Sequence, residues 1–192
     1  QRFGETIRYL TVRELQRFFD VIDNYHHKLM MRIIYQLGCR VGEFVRIRLE
    51  HLDFGRSNVF FPAENTKTRC RRTSYLSRGL MNEIKSKLRR EGRMNKTSEK
   101  IGKPQQYLFR PQAGGKGHYT ENRIRQIFMQ YIQRAGLDRV YATDSEDREL
   151  HKFTVHSLRH SHIMHHIHVH RLPLAVVQQQ VVHRTLKGTS AY

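Results

Sequence analysis

The apolar residues of this chain recur every three or four positions along most of its length, and every second position only between His51 and Leu76. A period near 3.6 gathers apolar side chains on one face of a helix, and a period of two gathers them on one face of a strand. The chain is therefore constrained to pack several helices around one small sheet. Leu10-Thr11-Val12-Arg13-Glu14-Leu15 opens the first helix, with Thr11 and Glu14 as a capping box and Leu10 and Leu15 as the hydrophobic staple around it. That helix is expected to run to Asp23. A second, from His26 to Leu37, carries Leu29, Ile33 and Leu37 on one face and stops at Gly38. A short third helix covers Val41 to Arg48.

Within the period-two block, Leu52 to Phe54, Asn58 to Pro62 and Thr73 to Leu76 predict three short antiparallel strands, with turns at Gly55 and around Asn65. Ser77 caps the next helix, expected to reach Arg90. Residues 91–106 are polar and read as a mobile loop, Tyr107 to Phe109 as a strand end, and Gly114 to Gly117 as a flexible turn. Thr120 starts a helix to Ala135 that Gly136 ends, and the acidic stretch 144–149 reads as a surface loop. Helices over 156–170 and 173–182 follow, with Pro173 in a first turn that tolerates it. No internal repeat and no second domain is visible. The expected fold is α+β, mainly α, with a small three-stranded antiparallel sheet.

Charge narrows the partner. Lys and Arg number 35 against 17 Asp and Glu, a formal charge of +18. Such an excess attracts polyanions through its field and through counterion release, with nucleic acid the first candidate and anionic membrane the second. The membrane reading lacks a basic amphipathic segment with aromatic anchors, and no apolar run reaches the roughly 18 residues that cross a bilayer. Only two cysteines are present, Cys39 and Cys70, which suits a reducing intracellular compartment better than a disulfide framework.

Several residues carry candidate chemistry. His156 and Arg159, one helical turn apart, are expected on one helix face. His183 follows, and Tyr192 lies nine residues beyond it. Upstream, Arg40 follows a helix-ending Gly38, which suits a guanidinium that grips two phosphate oxygens. A surface Arg paired with Glu43 is the plainer reading. Lys67, at a hairpin tip, is either a proton donor reaching into a cleft or an ordinary turn lysine. Arg69, Arg71 and Arg72 read as contacts to a nucleic-acid backbone or as solvated charge. Tyr192 is either a ring docked on the core or a nucleophile, the latter needing nearby positive charge because a free phenol has a pKa of ~10. The histidines from His160 to His170 contain i, i+4 pairs, but without a Glu between them they lack the zinc-hydrolase pattern, and no metal site is expected.

Taken in order, Gly38-Cys39-Arg40-Val41-Gly42-Glu43, Leu49 with Asp53, Thr66-Lys67-Thr68, His156-x-x-Arg159-His160, and His183 with Tyr192 resemble the catalytic domain of tyrosine recombinases, the phage-integrase family. The resemblance spans essentially the whole chain. It implies that Tyr192 attacks a DNA phosphate and forms a 3′-phosphotyrosyl link. Arg40 and Arg159 would stabilise the pentacoordinate transition state, Lys67 would protonate the 5′-oxygen, His156 would assist proton removal from the tyrosine, and His183 would hydrogen-bond the phosphate. Glu43 and Asp53 would buttress the fold. No metal or nucleotide is implied, because the covalent intermediate conserves the phosphodiester energy. Val182 stands where the family usually has Gly, and Tyr75 where it usually has Pro.

The resemblance further implies that residues 1–192 form the catalytic domain. The family's N-terminal core-binding domain and the segment after its tyrosine would lie outside them, and Gln1 reads as a boundary. The implied partner is double-stranded DNA, handled by a homotetramer, with the isolated domain a monomer. The implied setting is cytoplasmic and DNA-associated, compatible with a viral or mobile-element source. Two alternatives remain at this level: a DNA-relaxing enzyme of the type IB topoisomerase kind, and a DNA-binding homologue without catalysis. The His at position 156, where that topoisomerase class typically has Lys, favours the recombinase.

Overall fold

The computed structural model describes residues 8–67, 69–111, 117–147 and 149–181. The first helix, α1 (Val12–Asp20), carries the expected capping box: the Glu14 N–H donates to the Thr11 hydroxyl, and the Glu14 carboxylate accepts from the Thr11 N–H at 2.9 Å. Leu10 and Leu15 are both buried beside it. The helix ends at Asp20, three residues short of expectation. α2 (Tyr25–Leu37) buries Leu29, Met30, Ile33, Ile34 and Leu37 and stops at Gly38, whose φ of 53° lies in the left-handed region that glycine enters at no steric cost. α3 (Val41–Val45) is shorter than the periodicity predicts. Beyond it the chain is drawn aside, because the Leu49 and Glu50 N–H groups donate to the carbonyls of Gln106 and Pro104.

The three expected strands form one antiparallel sheet in sequence order, β1 (Leu52–Asp53), β2 (Asn58–Phe61) and β3 (Arg72–Tyr75). Its register pairs Val59 with Ser74 and Phe61 with Arg72. Val59 and Phe61 face the core, whereas Phe60 and Tyr75 face outward. α4 (Arg78–Arg90) starts on the Ser77 cap, and α5 (Glu121–Arg134) on the Thr120 cap. The helices and the sheet share one core, in which Phe18, Phe44, Phe61, Phe128 and Phe153 are fully enclosed.

Three expectations change. Residues 91–106 are not a free polar loop. Arg93 is buried there, and its guanidinium donates to Glu91 (3.1 Å), Gln106 (3.2 Å) and the carbonyls of Tyr107 and Leu108. Tyr107 to Phe109 is not a strand end but makes an isolated bridge to Arg48. The acidic stretch 144–149 does not stand as a free surface loop: Glu149 opens β5 (Glu149–His151), which pairs with β4 (Val140–Thr143), so a second, two-stranded sheet exists. Every β4 side chain is exposed, which removes the apolar alternation that would have revealed it. The hairpin is held instead by His151 against Asp138 (2.8 Å) and by Arg8 over the Tyr141 ring.

α6 (His156–Met164) packs against α2 and buries Ser157, Leu158, Arg159, Ser161, His162 and Ile163. The continuous helix expected to residue 170 passes at His165–Val169 into a π-helical turn. There the His166 ring competes for the His162 carbonyl (2.8 Å), the oxygen an α-helix gives to a backbone N–H. α7 (Leu174–Val181) packs Val177 and Val181 on Ile163. Among the described residues no helix is long and apolar enough to cross a membrane.

Candidate active site

Arg40 follows Cys39 out of the left-handed turn at Gly38 and occupies the N-cap of α3 in extended backbone. One turn later Glu43 reaches back: it accepts the Arg40 N–H at 2.9 Å, and its other oxygen lies 3.3 Å from the Arg40 Nη1. The plainer reading of Arg40, a pairing with Glu43, is thus part of the geometry. It does not consume the side chain, which keeps 27% of its surface exposed.

Lys67 sits in the connection between β2 and β3, exposed, with a fixed base. The Thr66 hydroxyl accepts the Cys70 N–H (3.1 Å) and lies within hydrogen-bond distance of the Ala63 carbonyl (3.1 Å). Arg69 takes a left-handed φ of 52° to close that turn. His156 is the first residue of α6, exposed, with its ring edge-on to His160 at 4.6 Å.

These three residues, far apart in sequence, line one cleft of about 820 Å³ together with Glu43, Glu121 and Arg125. Arg159 does not line it. Although one helical turn from His156, it lies deeper, 1% exposed, and donates to the carbonyls of Gly38 and Val181, the latter at 2.8 Å. His156 and Arg159 are one turn apart but differ in depth: His156 is exposed beside half-buried His160, whereas Arg159 is buried with Ser157, Leu158, Ser161 and His162. His183 and Tyr192 lie outside the described residues.

Under the cleft, charge is closely compensated. Burial pushes the Glu43 carboxyl up, but the charge of Arg72, the Arg40 N–H, the Arg72 hydrogen bond and the charge of Arg159 outweigh it and hold the group below its ordinary value. Burial, and then the Glu43 carboxylate, push the neighbouring Cys39 thiol up to about 12, so it stays protonated. Among the described residues no group of three or more His, Cys, Asp or Glu is arranged to hold a metal ion.

The residue that sequence reasoning misjudged is Arg72. It is neither a backbone-phosphate contact nor solvated charge but a buried partner of Glu43, at 2.6 Å. A signal existed: Arg72 has the same strand parity as Ser74 and Leu76, and Leu76 is an obvious core residue.

The fold and cleft define an α+β domain in which a guanidinium, an ammonium and an imidazole from three separate elements converge over a buried carboxylate. The chain belongs to the phage integrase family, whose model matches residues 8–192. It is 26% identical over 189 residues to the tyrosine recombinase XerC of Oceanobacillus iheyensis, covering 96% of this chain and 55% of that protein. It is 25% identical over 186 residues to the tyrosine recombinase XerA of Pyrococcus furiosus, covering 95% and 56%. The chain therefore spans about half the length of these relatives. In fold it resembles the crystal structure of XerA recombinase (TM-score 0.72, 17% identity, 100% of this chain and 60% of that one). It also resembles the catalytic domain of bacteriophage HP1 integrase (TM-score 0.64, 19% identity, 97% and 87%). A third likeness is to XerH recombinase bound to its palindromic difH substrate (TM-score 0.72, 19% identity, 98% and 50%).

Proposed function

We propose that this chain is the catalytic domain of a site-specific DNA recombinase or integrase, which cuts and rejoins double-stranded DNA through a covalent 3′-phosphotyrosyl intermediate at Tyr192. The observation that carries the reading is the convergence of Arg40, Lys67 and His156 on one cleft. Family membership supports it, as do relatives whose solved forms hold DNA, among them XerH with difH and the Tn1549 integrase with a circular-intermediate DNA.

In this mechanism the Tyr192 oxygen attacks phosphorus, its proton leaves toward His156, and the bond from phosphorus to the 5′-oxygen breaks. Lys67 gives that oxygen its proton. Arg40 and Arg159 stabilise the charge that grows on the non-bridging oxygens, a task for donors fixed in advance, and His183 hydrogen-bonds the same phosphate. The enzyme works as a homotetramer on two duplexes, the isolated domain is a monomer, and its setting is cytoplasmic and DNA-associated. A formal charge of +18 supports DNA as the partner through counterion release.

A nicked suicide DNA substrate followed by denaturing electrophoresis tests the reading. The expected result is a protein–DNA adduct with the parent and none with Tyr192→Phe. An adduct that survives Tyr192→Phe would remove Tyr192 as nucleophile. DNA binding without any adduct would favour a non-catalytic homologue, and vigorous relaxation of plasmids lacking a recognition site would favour a topoisomerase.

A further inference from the structure

Arg72 occupies a position that its chemistry makes costly. An arginine on a core-facing strand position loses its hydration, and only close, well-directed partners offset that loss. Arg72 has them on three sides. Its Nη2 lies 2.6 Å from the Glu43 carboxylate, and both side chains are only 3% exposed. Its Nη1 donates to the Ser74 hydroxyl at 2.6 Å, and its guanidinium carbon lies 4.0 Å from the centroid of the Phe61 ring. Ser74 in turn donates to the carbonyl of Leu37, the last residue of α2.

One guanidinium thus joins β2, β3, the end of α2 and the start of α3. Those elements carry the two cleft walls: Lys67 lies between β2 and β3, and Arg40 lies between α2 and α3. We propose that Arg72 is a positioning residue for strand cleavage, acting through Glu43 to set how Arg40 presents its guanidinium to the cleft. This inference rests on the recombinase reading above.

The sharing of Glu43 explains how. One of its oxygens accepts from both Arg72 and the Arg40 N–H, while the other meets the Arg40 Nη1 only at 3.3 Å. Without Arg72, Arg40 would be the flexible cation nearest to a buried carboxylate. An Arg fork and a carboxylate favour a two-bond pairing, which would turn Arg40 inward and away from the phosphate. Arg72 satisfies Glu43 and leaves most of the Arg40 fork for the cleft.

The groups facing Glu43 are Arg40 at the head of its own helix, Arg72 from β3, Arg159 from α6 and the Cys39 thiol. Burial raises the carboxyl, and the charge of Arg72 is the largest influence opposing it. Loss of Arg72 therefore raises the pH at which Glu43 takes a proton, and cleavage acquires a pH dependence in addition to the parent's own.

The experiment is single-turnover cleavage of a nicked suicide substrate by the intact protein, with DNA affinity measured alongside, from pH 5 to 8. Arg72→Met is expected to bind DNA like the parent and to cleave about 100-fold more slowly, the scale of loss when a reacting group is misplaced by about 1 Å. Its deficit relative to the parent should shrink as pH falls, because a protonated Glu43 no longer draws Arg40 inward. Arg72→Lys keeps the charge but not the fork, and is expected to show the parental pH profile at a rate about tenfold below the parent. Arg72→Met cleaving at the parental rate and profile, or Arg72→Lys cleaving at the parental rate, overturns the positioning role. If Arg72→Met does not fold, Arg72→Lys decides. A parent that forms no adduct overturns the recombinase reading itself, which keeps the two failures apart.

Discussion

Gly38 and His162 are in direct contact: a Cβ built on Gly38 would lie 2.5 Å from the Cδ2 of the His162 ring. The same glycine holds a left-handed φ of 53°, and its carbonyl accepts from Arg159. The corner that delivers Arg40 to the cleft is therefore shaped by backbone freedom, a close side chain and a buried guanidinium together.

Gly38→Ala should accordingly be costly. The left-handed backbone costs an L-residue about 1–2 kcal/mol and overpacking adds about 1–3 kcal/mol. Thermal unfolding should show a midpoint lowered by roughly 5–10 °C. A midpoint equal to the parent's would mean that α2 can end without this corner.

Arg40→Ala should separate cleavage from binding. Removal of one fixed donor to a developing oxyanion typically costs about 100- to 1,000-fold in rate, whereas many other cations share the DNA backbone. Adduct formation should collapse while DNA affinity falls only slightly, with the salt slope reduced by about one. Parallel loss of binding and cleavage would contradict that division of labour.

Arg93→Ala tests whether residues 91–106 are anchored as described. The substitution removes the donor to the Tyr107 carbonyl and leaves the Leu108 carbonyl and the Glu91 carboxylate to Lys87. A loss of about 2–3 kcal/mol is expected, since buried acceptors keep the cost of desolvation. The midpoint should fall by roughly 5–10 °C, and unchanged thermal stability would argue against the anchor.

Acid should weaken the fold through buried His165 and four half-buried histidines. Burial is the leading cause that lowers His26, His27, His51, His165 and His166 below the ordinary imidazole value. His165 is additionally tied to the Tyr35 hydroxyl at 2.9 Å. A folded-state value below the unfolded one means that the unfolded chain binds protons first. Stability is then full above the unfolded value of about 6.5 and is lost as pH falls from there through the folded values. Melting curves between pH 8 and 5 should show the midpoint dropping below about pH 6.5, and a flat profile would be inconsistent with neutral buried imidazoles.

Much of the fold was legible because local rules decided it. The Thr11 capping box, the Gly38 stop, the Ser77 and Thr120 caps and the three strands between Leu52 and Tyr75 each depend on neighbours within a few residues. The β4–β5 hairpin was not legible, since exposed strands leave no apolar alternation and its supports, Asp138 and Arg8, act from outside it. The shortening of α3 has a similar origin: hydrogen bonds to Pro104 and Gln106 overrule local helix preference.

By itself, the sequence determined which chemical groups are available, in what order, and on which elements: Arg40 after a glycine stop, Lys67 in a hairpin connection, His156 and Arg159 one turn apart. Only the tertiary structure decided their depth and company. It brought Arg40, Lys67 and His156 to one cleft, lowered Arg159 beneath it, and turned Arg72 from an apparent surface charge into the buried counter-ion of Glu43. The physical reason is that spacing along a chain sets only which way a side chain points. Burial, and the partners that make burial of a charge tolerable, depend on elements that meet only when the core closes.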